Sequence, residues 1–142
     1  MTAGGAKLVG VVDLADTFLA TTALADGRAS DAEVLARGAA DSAHAGGRKN
    51  DEAAALAALA SALVAQKKLE DAAVALDRAG GIEPTRVEAQ MELAIARAAL
   101  LAASSGGAAR AKQIVGDTLS RAQRMGFANV ARDARRALAR KK

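Results

Sequence analysis

The stretch GRASDA, residues 27–32, reads as a glycine stop followed at once by the start of another helix. It returns in altered form as KKLEDA at 67–72 and GGAARA at 106–111, at separations of 40 and 39 residues. Aligning the three turns places Ala32, Ala72 and Ala111 at one position. Ala39, Ala79 and Thr118 follow seven residues later, on the same face of a helix. A small residue two turns along lets a second helix come close. An apolar helical segment precedes each turn: Leu19 to Ala25, Leu59 to Ala65 and Leu100 to Ala103. The unit is helix, short turn, helix, written three times.

Working outward, the glycines at 27, 46–47, 80–81, 106–107 and 126 cut the chain into segments of helical length. They predict helices over 7–25, 29–45, 51–66, 69–79, 86–104, 108–125 and 128–140. Thr85-Arg86-Val87-Glu88 fits a capping box behind Pro84, Ser30 to Glu33 a second one, and Asn50 a cap for the third helix. Met125-Gly126-Phe127 reads as a glycine stop with an apolar residue folding back. The fifth helix carries two stripes, Met91, Ala94, Ile95, Ala98 and Leu101 on one side and Leu93, Ala96 and Leu100 on another, so it has neighbours on two sides. The last helix has one stripe, Phe127, Val130, Ala134, Ala137 and Leu138, which suits a terminal cap.

Composition agrees. Of 142 residues, 51% are hydrophobic but only 1% aromatic, with Phe18 and Phe127 the sole examples and alanine making up much of the rest. Alanine favours helices and buries little area, and strand formers are scarce, so the fold class is all-α. The absence of cysteine excludes disulfides and zinc-thiolate sites. No apolar run approaches the roughly 20 residues that span a bilayer, and MTAGGAKLVGVV makes a poor signal peptide. A cytoplasmic location is the default, with a piece of a longer, membrane-anchored protein as the alternative.

Helix pairs with a small residue or glycine at the turn and an alanine five later resemble tetratricopeptide (TPR) repeats over about Lys7 to Arg140. ALADGRASDAEVLARGAA (23–40), its spacing to ALASALVAQKKLEDAAVAL (58–76), and LSRAQRMGFANVARDARRAL (119–138) are similar to the longer-helix TPR-like arrays of large bacterial signalling proteins. Those arrays sit beside serine/threonine kinase, adenylate cyclase or winged-helix domains. The period is longer than the TPR value of about 34, the family's Trp and Tyr have no counterpart, and Lys67 stands where the turn glycine belongs. The resemblance implies one domain over 1–142: a right-handed α-α superhelix of three antiparallel pairs (about 7–45, 51–79 and 86–125) plus a capping helix. In such stacks the first helices of successive pairs line the concave side.

Chemistry finds little support. His44 is the only histidine, and its neighbours offer no ligand or acid–base partner. Asp13 and Asp16 share a helix face, where a solvated surface explains them. No Gly-Gly pair has phosphate-loop spacing, and no nucleophile arrangement can be assembled. Catalytic, cofactor and metal sites are therefore not expected. From Arg110 onward the chain has ten Lys or Arg and two Asp, a local +8 against −4 for the remainder. Arg121, Arg124, Arg132, Arg135, Arg136 and Arg140 either coat the outside of the capping helix or meet nucleic acid; an anionic membrane surface is a weaker third reading. The function expected is a scaffold or sensor module that binds a protein or peptide through Asp13, Thr17, Arg86, Gln90 and Arg97. The alternatives are nucleic-acid binding through the basic segment and self-association, as a homodimer, through the N-terminal helix.

Overall fold

The computed structural model describes residues 3–83, 86–104 and 106–139, and every regular element among them is a helix. The helices are α1 (Ala3–Ala25), α2 (Ala29–Ala45), α3 (Lys49–Ala65), α4 (Leu69–Gly80), α5 (Val87–Ala103), α6 (Ala108–Met125) and α7 (Ala128–Ala139). From α2 onward both ends fall within two residues of the expected boundaries, whereas α1 starts four residues earlier than Lys7.

Most of the turns share one construction. The residue after the α1 cap, Gly27, sits at φ 81°, and the N–H of Arg28 donates to the carbonyl of Ala23 at 2.8 Å. The same bond runs from Arg48 to Ala43, Lys68 to Leu63 and Phe127 to Ala122, each at 2.9 Å, beside left-handed Gly47, Lys67 and Gly126. This closure satisfies carbonyls that a helix end leaves open. The next helix begins immediately, because the carbonyls of Arg28, Arg48 and Lys68 accept from the N–H groups of Ala32, Glu52 and Ala72. Gly27, Gly47 and Lys67 therefore mark a turn repeated every 20 residues, half the period of the hairpin.

Two expected caps are replaced by this geometry. Arg28 and Arg48 occupy the cap positions of α2 and α3 without a side-chain bond, which moves Ser30 and Asn50 inside their helices. Asn50 instead reaches across the array, where its Oδ1 accepts from the N–H of Arg86, the residue capping α5. The box at Thr85 and Pro84 lies outside the described residues.

Packing follows the hairpin pattern. Each helix packs on the next in sequence, and in addition α1 packs on α3, α3 on α5 and α5 on α7. The odd helices thus form a continuous row, while α2, α4 and α6 make no extended contact with one another. The buried face of α2 consists of alanine alone: Ala32, Ala36, Ala39, Ala40 and Ala43. Helix α3 is buried on almost every side, with Leu56 and Leu63 among the largest enclosed side chains. The core divides into two clusters that meet at α5. Leu93 and Ala96 face the first cluster with Leu100 against it, and Met91, Ile95 and Ala98 face the second with Leu101 against it. The two stripes expected on this helix therefore serve different halves of the molecule. Val130 and Ala134 of α7 complete the second cluster, and Phe127, Ala137 and Leu138 pack onto it.

Candidate functional site

The first helices of the three pairs and α7 surround a cavity of about 60 Å³ on the inner side of the row. Its walls are mostly small side chains, Ala57, Ala58 and Ser61 from α3 and Ala99 from α5, with Thr21 contributed by α1. Small walls follow from the alanine-rich sequence and leave backbone close to the surface. The polar groups are Glu92 of α5 and Asp133 and Arg136 of α7. Burial pushes the Glu92 carboxyl up to about 9, and the neighbouring charge and hydrogen bond of Asp133 push in the same direction. Arg132 opposes the shift from beside Asp133, 3.7 Å away. Its guanidinium also lies 5.9 Å from the centre of the Phe18 ring, so side chains of the first and last helices meet. A space of this volume holds about two waters or the tip of one side chain.

A second cavity, about 190 Å³, opens on the opposite side, between α2 and α4. Leu56, Leu59 and Leu63 of α3 form its floor, and Arg37, Asp71, Val74 and Arg78 stand around it. The even helices leave this gap because they do not pack on one another.

Other polar groups fasten the array. Glu52 is buried, accepting from His44 Nδ1 at 3.1 Å and Arg78 Nη2 at 3.2 Å, while Arg78 also reaches Asp41 at 3.0 Å. At the other end of α3, Glu33 accepts from Gln66 at 2.8 Å and from Lys68 at 3.0 Å. Those bonds hold its carboxyl down to about 2. Asp13 is buried and paired with Arg48 of the α2–α3 turn. These pairs tie successive hairpins together.

The residues expected to bind a partner are distributed rather than gathered. Asp13 is enclosed by its pairing, Thr17 is half-buried, and Arg86, Gln90 and Arg97 are exposed on α5 or at its cap. None lines the inner cavity. Glu92 does, and its sequence position offers a signal: a charge between Met91 and Leu93, on a helix buried on two sides. In the basic segment, Lys112, Arg121, Arg124, Arg135 and Arg136 have no acidic partner among the described residues. Arg28, Arg37, Arg48, Lys68 and Arg78 are all paired. Arg140 lies outside the described residues. The described residues include no cluster of three His, Cys, Asp or Glu able to hold a metal ion, and no helix long and apolar enough to cross a membrane. No protein-family model, no curated protein and no solved structure matches the chain.

Proposed function

We propose that the chain is a non-enzymatic protein-interaction module whose inner wall receives a segment of a partner protein. The supporting observation is the shared wall itself, drawn from α1, α3, α5 and α7 and lined by small side chains around one carboxyl pair. An alanine-rich wall around a space for one side-chain tip favours a segment that lays its backbone against the wall and inserts a small side chain, over a bulky aromatic anchor. The resemblance to TPR-like arrays supports a place beside the catalytic or DNA-binding domains of a bacterial signalling protein. Peptides selected from a displayed library against the whole chain test this reading. Binding of the selected peptides is expected to fall at least about tenfold in Ser61→Arg and Ala99→Arg variants that keep their helical circular dichroism. Equal binding to the filled wall contradicts it.

A second reading is favoured by the unpartnered cations of α6 and α7. Such a surface suits a nucleic-acid backbone, and affinity for a duplex would then fall steeply with salt. Charge reversal at Arg121 and Arg124 would reduce that slope; a salt-independent affinity argues against it. Self-association through α1 is the third, supported by the exposed large hydrophobic side chains of Val11, Val12, Leu14, Phe18 and Leu19 on that helix.

A further inference from the structure

We infer that α1 pairs with α1 of a second copy in an antiparallel two-fold dimer centred between Ala15 and Phe18. The inference rests on the self-association reading and assigns its surface, partner and orientation. Val11, Ala15, Phe18 and Thr22 are all exposed and spaced by four, three and four residues, the seam spacing of a two-helix coil. Val12 and Leu19 flank the seam on one side and Leu14 on the other. From Val11 to Ala25 no exposed side chain is charged, because Asp13 is buried against Arg48 and Asp16 is half-buried. A surface helix ordinarily turns its charges outward.

The array itself shows what covers such a face. Shifting by the 40 residues that separate Gly27 from Lys67 sets Val12, Ala15, Phe18, Leu19 and Thr22 over Glu52, Ala55, Ala58, Leu59 and Ala62 of α3. All five α3 residues are buried. The same positions on α1 are open, apart from the Arg132 guanidinium of α7 that lies 5.9 Å from the Phe18 ring, so the missing cover is another helix.

A second copy fits by size, register and symmetry. Val11, Val12, Leu14, Phe18 and Leu19 are 62, 54, 47, 51 and 50% exposed, leaving roughly 500 Å² of apolar side chain per copy. Pairing two copies removes at most about 1,000 Å² from these residues, the lower bound for a specific interface, with Ala15 and Thr22 adding to it. An antiparallel two-fold sets the large Phe18 against the small Ala15 of the other copy, twice over, and brings Val11 opposite Thr22. A parallel pair would stack Phe18 on Phe18 and leave both alanines facing a void.

Sedimentation equilibrium of the full chain over a wide concentration range tests the pairing. The expected species has twice the 14.2 kDa chain mass. Ala15→Arg buries an unpaired cation at the seam and is expected to raise the dissociation constant at least about 100-fold while the helical signal is kept. Because Ala15 is exposed in the single chain, this variant spares the core. Orientation is read by oxidative cross-linking, as the chain has no cysteine of its own. Mixed Val11→Cys and Thr22→Cys chains are expected to link to each other in preference to themselves. A dimer insensitive to Ala15→Arg, or Val11→Cys linking mainly to itself, overturns this arrangement and leaves self-association standing. A monomer at every concentration overturns both and leaves the inner-wall reading untouched.

Discussion

Lys67 holds a backbone conformation that four glycines hold elsewhere among the described residues, φ 63° against 81° at Gly27, 69° at Gly47, 80° at Gly106 and 77° at Gly126. A side chain in the left-handed region costs about 1–2 kcal/mol. The turn nevertheless closes, with the N–H of Lys68 donating to Leu63 at 2.9 Å. Lys67→Gly is therefore expected to stabilise the protein by about 0.5–1 kcal/mol, after the added freedom of the unfolded glycine is subtracted. A thermal melt would show a rise of about 1–4 °C; an unchanged or lower midpoint would mean that the turn is not left-handed. Glu92 contributes at the same scale through its proton. Its carboxyl stands at about 9 when folded against an ordinary 4.5, so the folded state binds the extra proton between those values. Stability then falls as pH rises across that window. Glu92→Gln is expected to flatten this slope and to melt above the wild type at pH 8. A variant that melts lower there contradicts the half-buried, protonated carboxyl.

At the scale of the element, alanine sets the distances between helices. The fully buried residues of α2 are all alanine, with the partly buried Leu35 beside them, so α1 and α3 lie close against the helix and leave little room for an insertion. Ala36→Leu is expected to cost about 1–3 kcal/mol by overpacking, whereas Val34→Leu on the exposed side of the same helix stays within about 0.5 kcal/mol. Chemical denaturation measures both, and a neutral Ala36→Leu would show that α2 stands further from its neighbours. Element identity was legible in the sequence because glycine stops and small residues at fixed spacing report local geometry. The two sides of α5 were legible for the same reason, since Met91 and Leu93 already point to different stripes. Caps were less so: Ser30 and Asn50 are good cap residues, but the helical bonding begins at Arg28 and Arg48, directly after the preceding turn, and places both inside their helices. The turn at every 20 residues was less legible, because the residues after Gly47, Arg48-Lys49-Asn50, do not resemble those after Gly27 although the backbone closes in the same way.

At the scale of the whole molecule, the inner cavity arises because the row of odd helices curls until side chains of α1 and α7 line one space. That closure depends on the sum of small rotations between pairs, which no local pattern in the sequence records. Placement of the candidate site was therefore not legible. The first helices do line the inner side, as expected, but with other residues than those named: Asp13 is paired with Arg48, and the wall draws on Ser61 and Glu92, with Asp133 added from α7. The curl also brings Phe18 to within 5.9 Å of Arg132, although 114 residues separate them. In a straight row, three steps of 8–10 Å between packed helices would put α1 and α7 about 30 Å apart. The distance between spin labels at Thr21→Cys and Arg136→Cys, both facing the inner cavity, tests the curl directly when labelled chains are diluted with unlabelled protein. A distribution centred below about 20 Å is the result expected, and one centred near 30 Å or beyond would contradict the shared wall.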